Sequence, residues 1–144
     1  MMIAARFPEK VDKLILVSTT PKFVASPDFP HGLPLALLRS LRKRIRKEGT
    51  KAFHSLVFKD GKKVGLADLT VEQAERELAE LEKADLRPLL DKIRIPTLII
   101  HGDKDEICLP SAAVYMKERI GNSELVMLEG AGHASIDLIR KYAG

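Results

Sequence analysis

The chain has 144 residues, 24 Lys or Arg against 20 Asp or Glu for a net charge of +4, and 45% hydrophobic residues with no Trp. That length and balance fit one globular domain. They exclude a membrane-spanning helix, because apolar runs such as Leu14–Val17 and Leu98–Ile100 are only strand-sized. One cysteine, Cys108, excludes an internal disulfide.

Met1–Phe7 reads as the end of a helix, punctuated by Pro8 and Glu9-Lys10. It carries no secretory leader pattern. With no disulfide either, the cytoplasm is the expected compartment. Val11-Asp-Lys-Leu-Ile-Leu-Val-Ser18 predicts a strand over 12–18 whose continuous apolar centre suits a parallel sheet. Thr19-Thr20-Pro21 ends it. Residues 20–33 form a proline-rich loop, with Pro21, Pro27 and Pro30 blocking regular helix or sheet pairing.

Leu35–Lys47 predicts an amphipathic helix with Leu38, Leu41 and Ile45 on one face. Ala52, Phe53, Leu56 and Val57 suggest a second short helix, ended by Asp60-Gly61. Thr70-Val-Glu-Gln73 is a capping box for a third helix with an apolar stripe of Val71, Ala74, Leu78 and Leu81. The helical region is polarised. Residues 39–63 hold ten Lys or Arg against Glu48 and Asp60, and residues 68–85 hold seven acids against Arg76 and Lys83. Separated blocks of opposite charge can steer a charged partner, although a solvated helix face is the bland reading. Only Phe53 and Phe58 interleave the cations and no nucleic-acid motif is present, so nucleic acid is not the expected partner.

Two further strands are predicted near 96–102 and 124–129. Each empties into a polar loop: Gly102-Asp-Lys-Asp105 and Glu129-Gly-Ala-Gly-His133. A fixed acid and a fixed histidine at the ends of neighbouring strands suit the acid and base of a nucleophile–His–acid triad. His133 is the base this pattern offers, and Asp105 and Asp103, two residues apart, are its candidate acids. Cys108 reads as a packing residue of the same region, and His101 as a packing residue or the partner in a local hydrogen bond. No His/Cys/Asp/Glu set has metal-ligand spacing, and Gly130-Ala-Gly132 lacks the Lys-Ser/Thr of a phosphate loop, so no metal or cofactor is expected.

Apolar strand, Gly102-x-x-Asp105, helix, apolar strand and Gly130-Ala-Gly-His133 together resemble the C-terminal part of the α/β-hydrolase fold. The resemblance implies about three parallel strands with flanking helices and an inserted helical lid. It divides the chain into a core at 1–22, a lid at 23–84 and a core at 85–144. It also implies the triad order Ser, Asp, His, with Asp105, three residues after the strand-ending Gly102, preferred over Asp103 as the acid, His133 as the base, and the Gly-x-Ser-x-Gly turn about seven residues before Met1. Within the chain, Ser18, Ser111 and Ser135 lack the flanking glycines of such a turn, and Ser26, Ser40, Ser55 and Ser123 read as turn or helix-surface residues.

Leu14-Ile-Leu-Val-Ser-Thr-Thr-Pro21, Asp28-x-Pro30-x-Gly32 and Asp85-Leu-Arg-Pro-Leu-Leu90 further resemble the pimeloyl-acyl-carrier-protein methyl ester esterases of biotin synthesis. That implies an acyl-carrier-protein-linked ester as substrate and an acidic carrier protein as partner. Arg39, Arg42 and Arg46, whose spacings of three and four place them along one helix flank, are the candidate partner-binding residues. Two alternatives stand beside it. One is another small-ester hydrolase of the same fold; the other is an inactive fragment or binding module with a basic lid. An exposed edge on the first strand further predicts self-association or a complementing N-terminal half.

Overall fold

The computed structural model describes residues 1–52 and 69–133. Its centre is the apolar run after Pro96, which becomes the middle strand of a three-stranded parallel sheet. In chain order the strands are β1 (Leu14–Val17), β2 (Thr97–Gly102) and β3 (Ser123–Leu128), and they lie in that order in space. Leu14 pairs with Thr97 and Val17 with Ile100; Thr97 pairs with Ser123 and Gly102 with Leu128. β2 has no water-facing side, since Ile99 and Ile100 are fully buried. That is why its sequence is apolar without alternation.

β1 is shorter than the strand expected over 12–18. Two local features trim it. Leu14 N–H donates to the Pro96 carbonyl at 2.9 Å, but Pro96 has no N–H to continue the ladder backwards. At the other end Ser18 adopts a left-handed backbone, φ +43°, after its N–H donates to the Ile100 carbonyl at 3.0 Å. Few residues other than glycine hold that conformation, and it cannot extend a strand.

Pleating sends Leu16 and Ile99 to one face of the sheet. There they pack with Leu90, Ile93, Ala113, Met116 and Ile120. Leu90 belongs to a 3₁₀ segment, Arg87–Lys92, and Ala113 and Met116 to a helix, Pro110–Arg119. Val17, Leu98, Ile100, Val126 and Leu128 face the other way, with Ala131 against them. The N-terminal helix α1 (Met2–Arg6) buries only Ala4, leaving Met2, Ile3 and Phe7 exposed, and Ile15 on β1 is exposed too.

Between β1 and β2 lie α2 (Leu35–Glu48) and α3 (Val71–Lys83); the helix Pro110–Arg119 is α4. The second short helix expected from Ala52, Phe53, Leu56 and Val57 falls almost wholly outside the described residues. Leu38, Leu41 and Ile45 of α2 are buried as their spacing predicted, against Ala74 and Leu78 of α3. Thr70 and Gln73 form the expected capping box, the Gln73 N–H donating to Thr70 Oγ1 at 3.2 Å and the Thr70 N–H to Gln73 Oε1 at 2.8 Å. The α3 stripe needs one correction. Leu81 is 42% exposed, because the last turn of α3 overhangs a cavity instead of α2.

The proline-rich loop is more ordered than expected. Val24 bridges Leu33 and Ser26 bridges Phe29, folding the loop around a fully buried Phe29. The chain leaves and re-enters the sheet region at one stitched point. There the Leu86 N–H donates to the Pro21 carbonyl at 2.8 Å, and Arg87 grips Asp85 at 2.6 Å and Asp28 at 2.9 Å. The hydroxyl of Ser26 and then Arg87 hold the Asp28 carboxyl down at about 2.

The β2 and β3 ends approach so closely that only glycine fits at position 102. A methyl group there would lie 2.2 Å from the Ala131 carbonyl oxygen. Gly102→Ala is expected to cost about 1–3 kcal/mol through overpacking. The loss should appear as a lowered urea midpoint, and an unchanged midpoint would show that the two loops separate freely.

Candidate active site

Three backbone and side-chain contacts zip the two strand-end loops together. The Asp103 N–H donates to the Leu128 carbonyl at 3.0 Å and the Lys104 N–H to the Ala131 carbonyl at 2.9 Å. The Asp103 carboxylate accepts the Gly130 N–H at 2.7 Å, with Gly130 in the left-handed region, φ +72°. Asp103, the rival acid of the sequence reading, is therefore a clip between loops.

The zip brings together residues 28 positions apart. His133 Nδ1 lies 2.9 Å from Asp105 Oδ2. Asp105 is 2% exposed, whereas the His133 side chain keeps 22% of its surface open. The other carboxylate oxygen, Oδ1, accepts the N–H groups of Ile107 and Cys108, each at 2.9 Å. Burial alone would raise the Asp105 pKa. Hydrogen bonds from His101 and His133, the charge of His133 and the Ile107 amide outweigh it and hold the carboxyl well below the usual carboxylate range. An ionised carboxylate can only accept, so the proton of His133 sits on Nδ1. Nε2 is then the lone-pair nitrogen, and His133 lines a cavity of about 770 Å³.

The cavity wall is mostly apolar and comes from both layers. Phe23, Leu33, Leu37, Leu41, Leu78 and Leu81 contribute from the helical segment, and Ile107 and Cys108 from the Asp105 loop. Ser18, Thr19 and Thr20 line it from the end of β1, and Arg44 and Lys104 bring cationic heads. Leu37 and Leu81, two of the most exposed large apolar side chains, are thus cavity wall. Cys108 is buried, and burial followed by the charge of Asp105 pushes its thiol up to about 12, which makes it a poor nucleophile.

Of the three arginines singled out by spacing, two reach across to α3. Arg42 meets Glu82 at 3.0 Å and Glu75 at 3.4 Å, and Arg46 meets Glu75 at 2.6 Å. Arg46 first, then Arg42, lowers the Glu75 carboxyl. The opposite charge blocks therefore face each other in part. Arg39 is exposed and has no ion pair among the described residues. Also among the described residues, no group of three or more His, Cys, Asp and Glu side chains is placed to hold a metal ion, and no helix is long and apolar enough to cross a membrane.

Sequence reasoning did not anticipate the amides of Ile107 and Cys108 on Asp105, nor the contact of His101 with it. The first had a signal: Asp followed by residues whose N–H groups lie two and three places on is an Asx-type turn. The second had none, since the His101 spacing to Asp105 acquires meaning only once the loop is folded.

Residues 58–138 match the alpha/beta hydrolase fold family. The chain is 34% identical, over 91% of its length, to a pimeloyl-[acyl-carrier protein] methyl ester esterase of Nitrosospira multiformis, covering 56% of that protein. It is 33% identical, over 93% of its length, to the protein of the same name from Neisseria meningitidis serogroup B, covering 57%. Among solved structures, an esterase from Exiguobacterium antarcticum superposes with a TM-score of 0.78 at 26% identity, over 92% of this chain and 54% of that one. The chain spans about half the length of the curated relatives it matches.

Two outcomes follow from the site's electrostatics. Asp105 has a lowered pKa in the fold, so its contribution is complete above the ordinary carboxylate pKa of about 3.9 and is lost as pH falls toward the depressed folded value. Asp105→Asn is expected to cost about 1–3 kcal/mol at neutral pH. It should also flatten the decline of the urea midpoint below about pH 4; a decline parallel to wild type would assign acid lability to other carboxylates. Separately, Cys108 should resist iodoacetamide at neutral pH and label only after unfolding. Rapid labelling of the native chain would contradict its burial and raised pKa.

Proposed function

The chain belongs to the α/β-hydrolase fold family, and on that premise we propose that it is the acid- and base-bearing part of a carboxylic ester hydrolase acting on an acyl-carrier-protein-linked methyl ester. The observation that carries this reading is the 2.9 Å contact between Asp105 and His133 at the wall of an apolar cavity. The names of the most similar curated relatives support the substrate class.

In the proposed mechanism the nucleophile is a serine outside these 144 residues. His133 Nε2 takes its proton as the hydroxyl attacks the ester carbonyl. Asp105 keeps Nδ1 protonated and stabilises the imidazolium that forms. His133 then protonates the departing methoxide, and the same residue activates the water that cleaves the acyl-enzyme. The acyl chain occupies the cavity, with residues 23–84 acting as a lid over it. These steps need no metal or cofactor, and the proposed compartment is the cytoplasm.

The 144 residues alone are proposed to be inactive. A complementing N-terminal segment, or a second copy of the chain, would cover the apolar surface at Met2, Ile3, Phe7 and Ile15. The acidic carrier protein would meet the outer face of α2. Arg39, Lys43 and Lys47 follow one another there at intervals of four and carry no ion pair among the described residues. Arg42 and Arg46, by contrast, are engaged with Glu75 and Glu82.

The test begins with the DNA immediately upstream of the Met1 codon, read in three frames for Gly-x-Ser-x-Gly. A protein joining that segment to this chain should hydrolyse an acyl-carrier-protein methyl ester. His133→Ala should lower kcat by about 10³-fold or more. Arg39→Glu should weaken carrier binding in a salt-dependent way while leaving hydrolysis of a small free ester intact. No hydrolysis by the joined protein would sink the esterase reading, and loss of small-ester turnover in Arg39→Glu would sink the docking role.

A further inference from the structure

The Asp105 oxygen that meets His133 has a second imidazole beside it. His101, in β2, places Nε2 3.4 Å from Asp105 Oδ2. The same Nε2 lies 2.7 Å from the Cys108 carbonyl oxygen. A carbonyl oxygen only accepts, so Nε2 carries the proton. The other ring nitrogen, Nδ1, is buried and has no hydrogen-bond partner among the described residues. A proton there would be a buried donor with nothing to receive it, which again places the single proton on Nε2.

A side chain that merely fills space in β2 would be better apolar, because burying an unpartnered ring nitrogen is unfavourable. His101 is 1% exposed and does not line the cavity, so it cannot touch a substrate there. What it does touch is the peptide on which Asp105 depends. The Cys108 N–H donates to Asp105 Oδ1, and the Cys108 carbonyl accepts from His101. Any rotation of the loop around Cys108 therefore disturbs contacts at both ends of the carboxylate.

We propose that His101 is a positioning residue that locks the Asp105 loop through its Nε2–H, so that Oδ2 stays aimed at His133 Nδ1. This deepens the proposed esterase reading, since it concerns how the acid of that site is held. The locking itself is a property of the pair and can be measured without turnover.

The experiment is side-chain ¹H–¹⁵N NMR on the full chain, wild type and two variants. In the wild type the His101 ring should show its proton on Nε2 and none on Nδ1. In His101→Leu the His133 Nδ1–H should exchange with solvent roughly tenfold faster, from loss of a buried donor. His101→Gln, which can return an N–H near the position of Nε2, should restore exchange to within about threefold of wild type. A proton on His101 Nδ1, or unchanged His133 exchange in a folded His101→Leu, overturns the proposal. Should His101→Leu fail to fold, the wild-type tautomer decides alone. Altered His133 exchange with no ester hydrolysis by the joined protein leaves positioning intact and sinks the esterase reading. Hydrolysis with His133 unmoved in His101→Leu does the reverse.

Discussion

A buried carboxylate survives in a fold only if its oxygens are supplied with donors, and Asp105 is supplied from three directions in the chain. Its own loop gives the amides of Ile107 and Cys108, the loop after β3 gives His133, and β2 brings His101 to 3.4 Å. Burial pushes toward the protonated acid; these donors reverse that and keep the anion. The sign matters for chemistry. An anion at Oδ2 fixes the His133 proton on Nδ1 and leaves the lone pair on Nε2, whereas a protonated acid would permit the opposite tautomer. The tautomer of a surface histidine thus depends on two amides and a strand residue that never meet the solvent.

The same loop is also a foundation for the helical segment. Ile107 and Cys108, whose amides hold Asp105, pack their side chains into the cluster of Leu38, Leu41, Ile45 and Leu78. Two consecutive residues therefore bind the acid with their backbone and the α2–α3 layer with their side chains. Displacing that layer strains the carboxylate's environment, and loosening the loop opens the cavity wall. Close packing makes such a junction respond as a unit.

The sheet and the two strand-end loops that carry Asp105 and His133 were legible because they rest on local patterns: apolar strands, glycine-bounded loops and their order. The capping box of α3 and the buried stripe of α2 were legible for the same reason, since spacing alone decides them. Leu81 was misjudged because periodicity says which face a residue lies on, not whether that face meets a helix or a cavity. Asp105 was preferred over Asp103 on the spacing of the resembled family, but where each of the two acids points needed three dimensions. Both are strand-end acids two residues apart, and only the closeness of Gly102 to Ala131 sends one to the Gly130 amide and the other inward. The second short helix expected from Ala52, Phe53, Leu56 and Val57 lies almost wholly outside the described residues.

Charge shows the same division between what a sequence counts and what a fold assigns. The basic and acidic blocks of residues 39–63 and 68–85 look like two fields for an outside partner. Once α2 and α3 pack, Arg42 and Arg46 spend their charge on Glu75 and Glu82, because those positions turn toward the partner helix. Arg42, Glu75 and Glu82 are partly buried in these pairs, which remove two cations from the field seen at a distance. What is left unpaired among the described residues is set by helical geometry. Arg39, Lys43 and Lys47 are exposed and carry no ion pair among the described residues, whereas Arg42 and Arg46 reach the acids of α3. A net-charge argument counts cations that the fold pairs internally, and a spacing argument does not say which of Arg39, Arg42 and Arg46 turn toward the neighbouring helix.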